Sequence, residues 1–477
     1  MRIEVDCLGE VALPDEAYYG AQTERARKNF LNMSGRTLDD FPDLIRAMAA
    51  IKKAAAQTNL RLFALAPQVA EAIARAADEV MEGKMAGQFP VDFFQGGGGV
   101  SLHMNINEVL ANRANELLTG EKGAGRVHPN THVNLSQSTN DVLPSAARLC
   151  CGARLGDLEG ALLELEGALQ VKVSEHADTV KLGRTCLQDA LPMTFGQHFS
   201  GYLSMVQRQR EALSRMRPRC QELTLGATAL GTGLGLLEGY LEGIYPALSA
   251  ILGSEVRPEA NFFDAMQNED FYATLSGQLR SLAVGLSKMA TDLRLLSSGP
   301  RAGMGNLELP ALQPGSSIMP GKINPTLPEL INQVCYQVCG NDLTIAMAVE
   351  GGELDLNVWL VVILKNLFES LHLLTQGTRL FVRLCISGLV VHVARCRAQA
   401  ESSLALSTVL SALVGYEKAA HLAQKARASD QTIGALAVAE GLLSADEAAL
   451  WLDPLALSDP KRSAALFSQI LEAARGH

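Results

Sequence analysis

Five leucines, Leu155, Leu158, Leu162, Leu165 and Leu169, recur at spacings of three and four and lay one apolar stripe along a long helix. The pattern returns at 281–296 and 358–374, and a loop at Gly226-Ala227-Thr228-Ala229-Leu230-Gly231-Thr232-Gly233 interrupts the series. Helices this apolar need burial on several sides, which points to a helical bundle shared between subunits. Composition agrees: 48% of residues are apolar and only 5% aromatic, with Ala and Leu abundant, which favours packed helices over a β-sandwich. A length of 477 residues exceeds one typical core. We therefore place a mostly helical N-terminal domain at 1–144, a central helical-bundle domain at 145–395 and a small C-terminal helical domain at 396–477. In the last of these, Ser444 reads as an N-cap.

Several function classes are disfavoured at once. A net charge of −10 without a long basic run argues against nucleic acid. The apolar run 358–364 is far too short to span a bilayer, so no membrane partner is expected. The start, Met1-Arg2-Ile3-Glu4-Val5-Asp6, has no apolar core of a secretory signal. Nine cysteines, without paired Cys-x-x-Cys spacing, suggest reduced thiols and a cytoplasmic protein. Cys335 and Cys339 lie one helical turn apart, but two soft ligands without a third read as core residues, so no metal site is expected.

Chemistry gathers in four polar segments. Gly315-Ser316-Ser317-Ile318-Met319-Pro320-Gly321-Lys322-Ile323-Asn324-Pro325 is a Gly- and Pro-punctuated loop with two hydroxyls, an ammonium and an amide. Its glycines permit a fold over a ligand. Thr326-x-x-Glu329 after it reads as a capping box, so the loop runs toward a helix N-terminus, which favours an anion. Gln95-Gly96-Gly97-Gly98-Gly99-Val100-Ser101-Leu102-His103 reads as a ligand-approach loop capping a helix, because helical spacing resumes directly after it. Ser136-Gln137-Ser138-Thr139-Asn140-Asp141 and Gly183-Arg184-Thr185-Cys186-Leu187-Gln188-Asp189 complete the set.

These four segments, in this order, resemble the active-site segments of the aspartase/fumarase superfamily. The resemblance covers nearly the whole chain and is closer to bacterial aspartases than to fumarases. It implies an all-α, three-domain subunit whose long helices form a 20-helix bundle in a homotetramer, with active sites drawn from three subunits. It further implies anti β-elimination from a C4 dicarboxylate through an aci-carboxylate. Ser316 then matches the catalytic base, and Lys322 and Asn324 the holders of the α-carboxylate. Ser138, Thr139 and Asn140 match the grip on the second carboxylate and leaving group, with Ser317 and Thr185 as further substrate contacts. Glu329 stands behind the loop and is explained by capping alone. No cofactor is implied beyond a divalent cation, magnesium, as an activator by analogy.

Thr139 favours the aspartase side, since fumarases usually carry a second serine there. Four departures stand against the plain aspartase pattern. Val100, beside Ser101, replaces a threonine, and His103 an asparagine. Cys186 stands where histidine or glutamine is usual, and Gly235 where asparagine is usual. The machinery that makes the carbanion is kept, while the part that reads the leaving group is rebuilt. The expectation is a carbon–nitrogen lyase acting on L-aspartate or an N-substituted relative, with His103 as a new partner for the leaving nitrogen. The alternatives are a fumarase-type hydro-lyase and a catalytically silent scaffold or regulatory paralogue; a scaffold has no use for Ser316, Lys322 and Asn324 together.

Overall fold

The computed structural model describes residues 1–123 and 125–475. The chain is helical almost throughout, and its strands form two-stranded pairs. Two compact units are built from interleaved segments: 1–159, 211–281 and 336–374 in the first, and 160–210, 282–335 and 375–477 in the second. Their boundaries fall inside the helices Thr139–Glu175, Phe195–Ser214, Asp270–Leu296, Thr326–Glu350 and Leu360–Phe381. Among the described residues, no helix is long and apolar enough to cross a membrane.

In the first unit a hairpin, Arg2–Asp6 against Gly9–Leu13, precedes the helix Ala21–Asn29. That helix starts at Gly20 without a side-chain cap of its own. Glu108, buried on the helix Val100–Thr119, takes over: its carboxylate accepts from the N–H groups of Gly20, Gln22 and Thr23 at 2.8, 2.9 and 3.1 Å. This is anion binding at a helix N-terminus performed by a distant residue. The helices Pro42–Arg61 and Pro67–Met81 follow, each with proline in its first turn, where a missing N–H costs nothing. Phe41, Phe93 and Phe368 pack together, and Arg154 lies over Phe368 at 4.3 Å while pairing with Asp43.

The second unit holds the hairpin Val180–Thr185 with Gln188–Thr194, most of the helix Phe195–Ser214, and the C-terminal helices. Ile433, Ala437 and Ile470 centre the core of that C-terminal part. Ser444 caps the helix Ala445–Trp451 in a full capping box with Glu447.

The leucine stripe corrects one expectation. Leu155, Leu158, Leu162, Leu165 and Leu169 are all 0% exposed within the single chain, so no partner subunit is needed to bury them. Other residues of the long helices are left open. Tyr336, Leu343 and Met347, on one face at spacings of seven and four, are each about two-thirds exposed.

Candidate active site

In the first unit, three consecutive glycines with positive φ, Gly97, Gly98 and Gly99, turn the chain into the helix Val100–Thr119. Gly99 is the N-cap at φ 86°, and a Cβ there would collide with the Leu143 side chain. Only glycine meets both demands. The turn leaves Val100 exposed and Ser101 half-buried, and points His103 into the interior, where it is 1% exposed.

His103 is the middle of a buried chain. Lys52 Nζ lies 2.7 Å from His103 Nε2 and donates to Asn134 Oδ1 at 3.0 Å, while His103 Nδ1 lies 2.8 Å from Thr139 Oγ1. Burial, and then the charge of Lys52, push the His103 imidazole well below its ordinary range, so it is neutral. The Lys52 ammonium can only donate. Nε2 therefore accepts, Nδ1 carries the proton, and Thr139 Oγ1 receives it, a tautomer assigned from the network. The Thr139 hydroxyl proton is left free to point elsewhere. Both ring nitrogens are thus engaged, and His103 offers none to a leaving group, against the expectation above.

Asp141 ties the helix start to the glycine-rich loop at 226–235. It accepts from the N–H of Ser138, Gly226 and Thr228 at 2.9, 3.2 and 3.1 Å. Burial pushes its carboxyl up to about 7, against those three donors and the Lys52 charge. Burial likewise pulls Lys52 well down. We hold the ionised pair as the resting form, because three N–H donors and Asn134 satisfy the charges directly. Asn140 Nδ2 donates to Ala229 O at 3.0 Å, and Ser138 Oγ accepts from the Asn140 N–H at 3.3 Å. Gly235, exposed with φ 92°, lies in the same loop.

The second unit carries Thr185 and Cys186 at the tip of its hairpin. Cys186 and Leu187 both have positive φ, 52° and 61°, as a two-residue hairpin turn of the favoured twist requires. Neither is glycine, so the tip is strained, and it holds Thr185 and the Cys186 thiol in solvent. The loop at 315–325 is stapled at its base: the Gly315 N–H donates to Lys322 O at 2.7 Å and Asn324 Nδ2 to Gly315 O at 2.8 Å. Within it, Ser316 Oγ accepts from the N–H of Ile318 and Met319 at 3.2 and 3.0 Å. Ser317 and Lys322 are exposed, and among the described residues the Lys322 ammonium has no hydrogen-bond or ion-pair partner. The capping box at Thr326 does not form. Pro325 occupies the N-cap position and accepts the Glu329 N–H at 3.1 Å, but a proline has no N–H for the Glu329 carboxylate to reach.

Residues 9–340 match the family model described as lyase, and residues 406–458 the one described as fumarase C C-terminus. The chain belongs to the aspartase/fumarase superfamily. Aspartate ammonia-lyase of a Bacillus species is 41% identical over 96% of this chain and 98% of its own. Fumarate hydratase class II 1 of Pseudomonas aeruginosa is 43% identical over 95% and 97%. Among solved structures, a fumarate lyase:delta crystallin from Brucella melitensis bound to cobalt superposes with a TM-score of 0.93 at 45% identity, covering 96% of this chain and all of that one. The all-α fold is that of the superfamily, and the chain is a superfamily lyase.

Within that superfamily fold, the predicted residues divide between the units. Val100, Ser101, His103, Ser138, Thr139, Asn140 and Gly235 are in the first; Thr185, Cys186, Ser316, Ser317, Lys322, Asn324 and Glu329 are in the second. Three further residues escape a reading of the sequence. Lys52 and Asp141 look like a helix-surface cation and a turn acid, yet are 0% exposed. Glu269 precedes the helix Asp270–Leu296 as an ordinary acidic start, yet is 3% exposed. A lysine within the Ala-rich run 47–56 was the one available signal for the first.

Proposed function

We propose that the protein is a carbon–nitrogen lyase that eliminates ammonia, or a substituted amine, from L-aspartate or a close C4 dicarboxylate to give fumarate. The observation that carries this reading is the loop at 315–325, where one hydroxyl receives two backbone N–H groups and the same loop bears the Lys322 ammonium, without a partner among the described residues. Ser316, as the alkoxide, takes the proton from the carbon next to the second carboxylate. The electron pair passes into that carboxylate as the aci form, the carbon–nitrogen bond breaks, and the nitrogen departs as neutral ammonia. Lys322 and Asn324 hold the α-carboxylate by charge and hydrogen bond, and Ser317 and Thr185 add donors. Thr139, whose proton His103 turns outward, donates to the second carboxylate together with Ser138. Pre-aimed donors of this kind are typically worth about 10²–10³ each in rate.

The reaction needs the residues of both units. Superfamily membership supports a homotetramer in which subunits complete each other's sites, and the open face at Tyr336, Leu343 and Met347 supports self-association. No cofactor enters the elimination proposed here. Among the described residues, no group of three or more His, Cys, Asp or Glu side chains gathers to hold a magnesium activator.

A second reading, a fumarase-type hydro-lyase, is favoured by fumarate hydratases at 43% identity. Thr139 and the absence of an imidazole at Cys186 weigh against it, because a hydratase must manage a water. The deciding experiment is ultraviolet detection of fumarate formed from L-aspartate and, separately, from L-malate. Faster turnover of L-malate overturns the ammonia-lyase reading.

A further inference from the structure

In the second unit, a cavity of about 240 Å³ opens between the hairpin Val180–Thr185 with Gln188–Thr194 and the helices Phe195–Ser214 and Asp270–Leu296. It is several times the roughly 30 Å³ that one water takes in the liquid. One part of its wall is charged, and the rest is apolar, with Leu187, Met193, Leu295 and Met304. Lys181 stands out on the charged part. It is 4% exposed, and its ammonium donates to Leu182 O at 3.1 Å and lies 5.5 Å from the centre of the Phe195 ring. Among the described residues it makes no ion pair, so two of its three protons are unspent.

The neighbouring charges are already matched. Asp292 Oδ2 receives the Tyr202 hydroxyl at 2.6 Å and pairs with the Lys288 ammonium. Arg184 donates to Asn306 Oδ1 at 3.3 Å and Gln399 Oε1 at 3.2 Å, with the Asp189 carboxylate at 3.9 Å. Because Tyr202 gives its proton to Asp292, His198 Nε2, 2.8 Å from the Tyr202 oxygen, carries the proton of that contact. Burial, and then the charge of Lys181, pull His198 down to about 3, so it is neutral. Burial, and then the charge of Arg184, pull Lys181 down to about 8, which leaves it charged at neutral pH. Pairing Asp292 with Lys288 and Asp189 with Arg184 leaves one positive charge, on Lys181.

A buried ammonium without a counter-ion is costly, and packing gives no reason for it, since an unbranched apolar side chain would fill the same space. Water would accept its protons but brings no charge and finds no partner on the apolar wall. We propose that this cavity binds a small monocarboxylate with a short aliphatic tail, its charge on Lys181 and its tail against Leu187, Met193, Leu295 and Met304. One positive charge calls for one negative charge, and an apolar wall rejects an ion with oxygens on every side. The site is separate from the proposed elimination, and its test needs no turnover.

Equilibrium dialysis of the intact protein with radiolabelled butyrate, at pH 7 in sodium chloride, should show saturable binding of one butyrate per chain. Lys181→Met keeps the length of the side chain and removes its charge. Its affinity for butyrate should fall about tenfold to a hundredfold, as for a lost hydrogen bond to a charged group. Unlabelled succinate and sulfate, at matched ionic strength, should displace the label at least about tenfold less well than unlabelled butyrate, because each sets unpaired oxygens against the apolar wall. Binding that does not saturate means a cavity holding only water and overturns the site, as does parent-like affinity in Lys181→Met. Displacement by succinate as effective as by butyrate puts the label where a dicarboxylate binds and overturns the assignment to this cavity. Equal displacement by sulfate overturns the monocarboxylate class. The competition series uses the parent alone, so it decides the proposal even if Lys181→Met fails to fold.

Discussion

Replacing Ser316 by alanine removes one hydroxyl and leaves the N–H groups of Ile318 and Met319 facing a methyl group. Both residues are exposed, at 84% and 49%, so water takes up the freed donors. The structural cost is then at most about 1 kcal/mol per bond. The kinetic cost is larger. Loss of a general base is worth about 10²–10⁴ in rate, or roughly 3–5 kcal/mol of barrier. A second route gives a ceiling: two amide donors at about 3–4 kcal/mol each would support the alkoxide by about 6–8 kcal/mol in a water-free site. The loop is exposed in the single chain, so water competes and the lower figure governs. Steady-state fumarate formation should therefore show kcat down about 10²–10⁴ with KM within about threefold, because the alkoxide matters in the transition state. Ser317→Ala is the control; that hydroxyl receives no such pair of amides, and its loss should act mainly on KM. A Ser316→Ala protein that turns over its substrate within about threefold of the parent refutes the assignment of the base.

Lys322→Ala should raise KM as well as lower kcat, since the ammonium pairs with a ground-state carboxylate; steady-state kinetics at low and high salt read both, and an unchanged KM removes the pairing. His103→Leu leaves Lys52 with Asn134 alone and should destabilise the first unit by about 2–5 kcal/mol in chemical denaturation. A shift under about 1 kcal/mol would mean that the chain is not held through His103. Val100→Thr with Cys186→Gln should raise kcat/KM for L-aspartate, and no gain marks both departures as neutral. Glu269→Gln should also change the pH dependence of stability. With the folded carboxyl at about 7 and the unfolded one near 4.5, the folded state holds the extra proton between those values, so Glu269 stabilises less as pH rises. That share, about 3 kcal/mol, should vanish in the variant when unfolding is followed from pH 4.5 to 7, and an unaltered slope would mean an ordinary carboxyl.

Much of the fold was legible in the sequence because helical periodicity is local. The leucines at 155–169, the N-cap at Ser444 and the helix following Gly99 are set by neighbours within one or two turns. Where those leucines are buried was not legible, since a stripe announces that it needs cover and not which chain supplies it. The loops at 96–99 and 315–325 were readable for the same local reason: glycine and polar residues in an apolar chain mark loops, whereas 183–189 lies in a hairpin that this pattern did not announce. What escaped was contact across sequence. Lys52 meets His103 over 51 positions, and Glu108 caps a helix that starts more than 80 positions earlier. The capping box at Thr326 failed on a single residue, Pro325, whose missing N–H a pattern of Thr-x-x-Glu does not register.

The first unit separates donor from acceptor at two adjacent residues. Lys52 fixes the His103 tautomer, His103 fills one lone pair of Thr139, and Thr139 turns its proton outward as a donor. One residue later, Asn140 spends its amide N–H on Ala229 O and keeps Oδ1 as an acceptor, on the cavity that Glu269 also lines. A carboxylate can only accept and an ammonium can only donate, so each has one partner here and would be rejected by the other. A hydroxyl group can do either, so neither partner rejects it.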